Sequence, residues 1–279
     1  MGMSINTNLS ALNTYRNLNA TQGDLSKSLE KLSSGLRINR AADDASGLTI
    51  SEGLKSQVGG LTVAARNAQD GISVVQTAEG GLTETHSILQ RMRDLAVQAG
   101  NDSNNEDSRT AISTEVGQLT QELTRISAST NFNGINLLDG SAGTAGVLKF
   151  QVGANGDAAS QIDVDLSKSS VKDVATAVGA LKFDSADDAQ ASITALDAQI
   201  KYVSSARSNI GAIQNRFDHA INVTNVAKEN LTAASSRITD VDMAEEMVKY
   251  TRDNILSQAG TSMLAQANQS TQGVLSLLR

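Results

Sequence analysis

Apolar residues recur along this chain with spacings that alternate between four and three. Ala11, Tyr15, Leu18, Gln22, Leu25, Leu29, Leu32 and Leu36 hold that alternation, and Ile5, Leu9 and Leu12 open the stripe slightly out of phase. A heptad of this kind sets apolar groups on one seam of a helix, and the seam must be covered by another helix. Gly35 supplies a stop for the first helix. After the connector of residues 36–42, Asp43 or Asp44 is placed to cap a second helix, where its negative charge is favoured by the helix dipole. This second helix is long: Leu54, Val58, Leu61, Ala65, Ala68, Ile72, Val75, Glu79, Leu82, His86, Leu89, Arg93 and Ala96 keep the spacing. Glu79, His86 and Arg93 interrupt its seam, and Met92 and Leu95 show the stripe drifting sideways, as a 3.6-residue helix must.

The polar stretch of residues 100–105 ends that helix, and Ile112, Val116, Leu119, Leu123 and Ile126 mark a third one, closing before Asn131-Phe132-Asn133-Gly134. The short link makes the two antiparallel neighbours. From Asp139 to about Asp184 the pattern changes. Glycines punctuate two short alternating runs, Val147 to Val152 and Gln161 to Leu166, joined by a Gly-Ala-Asn-Gly-Asp turn, which predicts a small hairpin. A fourth helix returns through Ile193, Leu196, Ile200, Val203, Ile210, Phe217 and Ile221 and continues weakly to Leu231. From about Asp240 a last helix sets Val248, Leu256, Ala259, Met263, Ala267, Ser270, Val274 and Leu277 near one face. The expected fold is mainly α, a long antiparallel helical bundle or coiled coil with a small β-hairpin region.

Composition narrows the function. The 279 residues include no Cys, no Trp and no Pro, and only 4 Phe and 3 Tyr, so the core must be filled by Leu, Ile, Val and Ala. Without Cys there are no disulfides, thiolate nucleophiles or Cys-ligated metals, and His86 and His219 alone stand for imidazole chemistry. They lie too far apart in sequence to form a His-x-x-x-His zinc pair on one helix. Asp163 with Asp165, and Asp240 with Asp242, lack the Gly and terminal Glu of a calcium loop and read as a solvated strand face and a helix cap. Gly140 to Gly146 contains no phosphate-loop Lys. No enzyme activity, cofactor or metal is expected. A net charge of -7 argues against nucleic acid and anionic membrane as partners, and no apolar stretch is long enough to span a bilayer. No basic segment followed by an apolar run marks a cleaved secretory signal in the first thirty residues.

The two ends of the chain share one chemistry. Residues 1–15 and 255–278 carry no charge, yet Ser, Thr, Asn and Gln keep both too polar for lipid. Ordinary termini are charged and solvated. Uncharged amphipathic ends suit enclosure on all sides by protein, where a Lys or Glu would be costly and short polar side chains can exchange hydrogen bonds. If one face of a subunit meets a different face of the next, the array need not close and a fibre results. The expected polymerisation core comprises Leu9, Leu12, Leu18, Leu25, Leu29, Leu32, Leu256, Met263, Val274 and Leu277.

Several segments, in order and in spacing over nearly the whole chain, resemble bacterial flagellin. They include Leu32-Ser33-Ser34-Gly35-Leu36-Arg37-Ile38-Asn39, Ala42-Asp43-Asp44-Ala45-Ser46-Gly47-Leu48 and Ala65-Arg66-Asn67-Ala68-Gln69-Asp70-Gly71-Ile72-Ser73. Leu89 to Gln98, Gly211 to Phe217 and Gln258 to Gln269 extend the likeness. With only the hairpin in the middle, the chain looks like a minimal flagellin lacking large outer domains. The resemblance implies a structural subunit that self-assembles into the flagellar filament for motility, secreted and extracellular. It implies that residues 1–42 and 240–279 are the two halves of an inner coiled-coil domain, ordering on polymerisation. Residues 43–139 and 185–239 would then form a helical tube domain, with 140–184 its hairpin region. The implied partners are further copies of the chain, the flagellar export apparatus and an export chaperone, and the filament cap and hook-junction proteins. A host Toll-like receptor is a further implied partner, with its contact placed on Arg91, Leu95 and Glu115. A hook-filament junction protein, or a secreted ligand of a host innate immune receptor, is the alternative reading.

Overall fold

The computed structural model describes residues 8–277, and the side chains of residues 8–269. Six helices and two small antiparallel hairpins follow one another. They are α1 (Leu9–Ser34), α2 (Ala45–Ala99), α3 (Glu106–Ser129), β1 (Asn131–Phe132), β2 (Ile135–Asn136), β3 (Val147–Gln151), β4 (Gln161–Asp165), α4 (Val171–Gly179), α5 (Ala186–Thr239) and α6 (Met243–Leu277). The chain divides into two compact units: residues 57–229, and the two flanking segments up to residue 56 and from residue 230.

The helix boundaries have local causes. The Asn8 carboxamide oxygen accepts from the Ala11 N–H at the start of α1, and Gly35, at φ 73°, donates its N–H to the Lys31 carbonyl at the end. Of the two aspartates before α2, Asp44 is the cap, accepting from the Gly47 N–H at 2.8 Å. Asp43 instead ties the connector by accepting from the N–H groups of Arg40 and Asn39, which hold its carboxyl below the usual range. Asn105 caps α3, and Asp242 caps α6 by accepting from Ala244 and Glu245.

In the middle unit, α2 turns a strict four-three stripe inward: Ala64, Ala68, Gly71, Val75, Ala78, Leu82, Thr85, Leu89, Met92, Ala96 and Ala99 are all buried. From Ala65 onward half of the expected seam is present, since Ala68, Val75, Leu82, Leu89 and Ala96 belong to it. The other half is displaced by one residue: Gly71, Ala78, Thr85 and Met92 replace Ile72, Glu79, His86 and Arg93, which lie half-exposed at the edge. The reason is close approach. At Gly71 a Cβ would stand 2.6 Å from Phe217 Cζ, so the ring on α5 takes the space that a larger residue would fill. Two of the displaced residues serve as flanking charges toward α5, Arg93 Nε to Asp197 at 2.6 Å and Glu79 to Arg207 at 3.9 Å. The same displacement occurs on α5, where Leu196, Val203, Ile210 and Phe217 are buried as expected, and Ser192 is buried in place of Ile193.

On α3, Ile112, Val116, Leu123 and Ile126 are buried as the spacing predicts. The larger hairpin forms from the two expected runs, with Val147 opposite Asp165 and Gln151 opposite Gln161. Phe150 of β3 meets Phe217 edge-on at 5.6 Å, and Asn67 and Thr224 donate to the Gln151 and Val152 carbonyls. Two elements were missed by periodicity. The first is the β1–β2 turn at Asn133-Gly134, where φ of 50° and 78° fits a two-residue hairpin connection. The second is α4, inside the stretch expected to be only hairpin. Ser170 caps it, and Val171, Val174, Ala175 and Val178 form its buried face. That face follows helical i, i+3, i+4, i+7 spacing, but over 9 residues it offers too few repeats to stand out beside the neighbouring glycines. The fourth helix also runs past Leu231 to Thr239.

The terminal unit pairs α1 with α6 in antiparallel fashion. Ser28 meets Glu246, Leu18 lies against Gly260, and Asn8 Nδ2 donates to the Ala267 carbonyl at 3.0 Å. At the base of the pair, the chain at Leu36 bridges Asp240: Arg37 donates its N–H to the Thr239 carbonyl, and Val241 donates to that of Gly35. Asp240 thus serves in this bridge and accepts from Ser236, while capping falls to Asp242.

Candidate functional site

The inner face of α1 is drawn from Ala11, Thr14, Leu18, Thr21, Leu25, Ser28 and Leu32, the residues of that helix that lose most exposure at three-four spacing. Ala11, Leu18, Leu25 and Leu32 are on the expected seam; Thr14, Thr21 and Ser28 stand one residue before the expected Tyr15, Gln22 and Leu29. On α6 the face toward α1 consists of Glu246, Tyr250, Asp253, Ser257, Gly260, Leu264 and Ala267. Of the described residues of the stripe expected on that helix, Ala267 lies on this face, while Val248, Leu256, Ala259 and Met263 are exposed. The seam within the chain therefore mixes Leu18, Leu25, Leu32, Tyr250 and Leu264 with small and polar groups, and a further set of large apolar residues points outward.

Their exposure is high. Leu9 is 65% exposed, Leu12 58%, Tyr15 55% and Leu29 48%; on α6, Val248 is 63%, Ile255 61%, Leu256 50% and Met263 61% exposed. Met247, Val248, Thr251, Arg252, Ile255 and Leu256 outline an open groove of about 480 Å³ on the outer side of α6. Within the terminal unit the buried hydrophobic residues among those described are Leu18 and Ile38, whereas the middle unit buries a continuous cluster from Ala68 to Phe217. Contiguous exposed apolar surface of this kind marks an interaction site.

Of the expected polymerisation core, Leu9, Leu12, Leu29, Leu256 and Met263 are thus on the open faces. Leu18 is buried, and Leu25 and Leu32 are half-buried on the α1 seam. The side chains of Val274 and Leu277 lie outside the described residues, as does Ile5. The polar members of the seam were missed because apolar patterning gives Ser28, Glu246 and Asp253 no weight. The available signal for Glu246 and Asp253 was their place in an unbroken four-three series with Gly260 and Leu264.

The Arg91 guanidinium reaches Glu115 Oε1 through both Nε, at 2.9 Å, and Nη2, at 2.7 Å, joining α2 to α3 on an exposed surface. Leu95, one turn along α2, is only 3% exposed and belongs to the core cluster, so its side chain supports that surface from below and is not part of it. His86 Nε2 stands 2.9 Å from the Gln90 amide nitrogen and its Nδ1 is buried without a hydrogen-bond partner; His219 is exposed elsewhere on α5. Asp163 faces Lys149 at 3.8 Å, and Asp165 accepts from the hydroxyl and N–H of Ser167, which hold its carboxyl low. Among the described residues no group of three or more His, Asp and Glu is gathered to hold a metal ion, and no helix is long and apolar enough to cross a membrane.

Residues 5–143 match the family model described as the bacterial flagellin N-terminal helical region, and residues 193–278 match that of the C-terminal helical region. The chain is 52% identical over 277 residues to a flagellin of Halalkalibacterium halodurans, covering 99% of this chain and 100% of that one. It is 49% identical over 309 residues to a flagellin of Bacillus subtilis, with 99% and 100% covered. A solved structure of a putative flagellar hook-associated protein from Vibrio parahaemolyticus aligns with TM-score 0.57 over 71% of this chain and 100% of that chain; at 16% identity it is a likeness of fold alone.

Proposed function

Because the chain belongs to the bacterial flagellin family and is a structural subunit of the flagellar filament, we propose that the outward apolar stripes of α1 and α6 are the surfaces through which one copy grips the next. The observation that carries this reading is the second, outward set of large apolar residues on the terminal pair. Leu9, Leu12, Tyr15 and Leu29, with Val248, Ile255, Leu256 and Met263, are large apolar groups that stay exposed in the single chain. Fully burying one such side chain stabilises by roughly 1.5–3 kcal/mol. A neighbour covering several of them supplies a driving force that the chain alone does not use.

In this reading residues 1–42 and 240–279 form the inner coiled-coil domain of the filament, completed by neighbouring copies. Residues 43–139 and 185–239 form the surrounding tube domain, and 140–184 its hairpin region. The subunit reaches the extracellular filament through the flagellar export apparatus with an export chaperone, and meets cap and hook-junction proteins at the filament ends. A chain without Pro or Cys refolds after such transport with neither prolyl isomerisation nor disulfide exchange to delay it. No catalytic step is needed for this role. The test is seeded growth: monomer added to sheared filament fragments, followed by light scattering and electron microscopy. The intact chain is expected to extend the fragments. Chains lacking residues before about Leu36 or after about Asp240 are expected not to, while residues 57–229 stay helical by circular dichroism. Growth of both truncated chains would remove assembly from the ends.

Recognition by a host Toll-like receptor is a second, dependent reading, favoured by the exposed Arg91–Glu115 pair. A receptor acidic group would have to replace Glu115 at the guanidinium, with Leu95 holding the helix surface in place beneath. Loss of receptor signalling in an Arg91→Ala chain that still forms filaments would support it, and unchanged signalling would refute it.

A further inference from the structure

The rotational setting of α6 against α1 leaves large apolar residues open while it buries polar ones. Met247, Val248, Ile255 and Leu256 are 50% exposed or more, while Glu246 is only 8% exposed and Ser28 is fully buried. Burying a carboxylate and a hydroxyl is unfavourable unless each meets a partner. Here they meet each other: the Ser28 hydroxyl donates to Glu246 Oε1 at 2.6 Å, a charge-assisted hydrogen bond of the short, strong kind. Adjacent residues on a helix are separated by about 100°. Turning α6 by one residue would bring Met247, Thr251, Asn254 and Gln258 toward α1, withdraw Tyr250 and Leu264 from the seam, and strand both buried polar groups.

We propose that Glu246 is a positioning residue for assembly: its bond to Ser28 fixes the phase of α6 so that the apolar stripe stays on the outer face for a neighbouring copy. This rests on the assembly reading above. The bond acts by specificity, in the way that a buried polar residue selects one arrangement of a coiled coil at some cost in stability. Asp253, one heptad later on the same face, has Oδ2 buried with no hydrogen-bond partner, so it adds polarity to the seam without supplying a lock. Gly260 is a second feature of this phase. A Cβ built there would lie 3.8 Å from Leu18 Cβ, which is the usual Cβ separation of a disulfide.

That separation gives a reporter of the phase in a chain with no native cysteine. The experiment places Leu18→Cys and Gly260→Cys in the full chain and combines them with Glu246→Gln, Glu246→Leu or Asp253→Leu. Disulfide formation under copper-phenanthroline and air is timed by gel shift. In parallel, each Glu246 and Asp253 variant without the added cysteines is tested for extension of wild-type filament fragments. Glu246→Gln is expected to keep both rates near wild type, because the amide oxygen still accepts from Ser28, and Asp253→Leu likewise. Glu246→Leu is expected to slow both by about tenfold or more, the population shift that loss of one strong hydrogen bond produces. Unchanged cross-linking in Glu246→Leu overturns the phase assignment. Slow cross-linking with normal growth overturns its link to assembly. Equal slowing by Asp253→Leu or Glu246→Gln shows that seam polarity or charge acts instead of this bond, and also overturns it. Failure of the unaltered chain to extend fragments would count against the assembly reading itself, and is thereby distinguishable from the other outcomes.

Discussion

The middle unit and the terminal unit use the same helical repeat and the same few residue types, yet the first turns its bulk inward and the second divides it between the seam and the outer faces. In the middle unit Leu82, Leu89 and Met92 of α2 and Leu196, Ile210 and Phe217 of α5 are fully buried, and the edge positions carry Glu79, Arg93, Asp197 and Arg207. In the terminal unit the seam mixes Leu18, Leu25 and Leu264 with Ser28, Glu246, Asp253 and Gly260, and the outer faces hold Leu9, Leu29, Ile255 and Leu256. A helix pair with charged edges and an apolar seam is finished as a single chain. A pair with polar groups in its seam and large apolar residues on its outer faces leaves burial unfinished in the single chain, which is what supports the proposal that these faces join copies.

The largest expected effect sharpens that contrast from the middle unit. Phe217→Ala removes a ring that is fully buried between Phe150 and the bare surface of Gly71, and should destabilise the unit by about 3–5 kcal/mol in urea unfolding. A loss below about 1 kcal/mol would mean that the ring is not the centre of that core. Next, Leu256→Ala in the terminal unit should change the stability of the free chain by no more than about 0.5 kcal/mol, since the residue is half-exposed. The same substitution should raise the critical concentration for filament growth about tenfold, as expected of an anchor buried between copies. Free-chain destabilisation with normal growth would reverse the assignment of the two faces.

Acid provides a smaller test. Burial pushes the Asp139 carboxyl up, but hydrogen bonds from the hydroxyl and N–H of Ser141 and from Asn136 outweigh it and hold the pKa below the ordinary value. A carboxyl whose folded-state pKa is depressed stabilises the fold above its unfolded-state pKa, and that contribution is lost as pH falls through the folded-state pKa. Asp139→Asn should therefore cost less than about 1 kcal/mol at pH 7, and the difference from wild type should shrink below about pH 4. A gap that persists in acid would exclude the charge as its source. Smallest of all, Lys149→Ala breaks an exposed 3.8 Å contact with Asp163 and should shift stability by at most about 0.5 kcal/mol.

The helices and the larger hairpin were legible in the sequence because they rest on repetition and on turn residues. Gly35, the Asp43-Asp44 pair and the polar stretch of residues 100–105 each end or start a helix through their own backbone chemistry. What periodicity could not settle was which of two seams each heptad uses. Positions seven apart, such as Leu18, Leu25 and Leu32 or Val75, Leu82 and Leu89, are common to both choices. Between them the intermediate position can fall three or four residues on. Favouring the larger apolar residue selects Leu29 over Ser28 and Ile72 over Gly71, and in both cases the structure takes the smaller one. Short elements escaped for a different reason: α4 and the β1–β2 turn have too few repeats to register as a pattern.

The candidate surface was half legible in the same sense. The absence of charge at both ends pointed to enclosure by other chains, which needed no coordinates to see. The direction in which Val248, Leu256 and Met263 point did need them, as did the pairing of Ser28 with Glu246. By itself the sequence determined that this protein is built of long amphipathic helices with uncharged ends, because hydrophobic spacing and composition are local properties of a chain. Only the tertiary structure decided which stripe faces inward, because that choice depends on how closely two backbones approach and on which buried polar groups find partners across the gap.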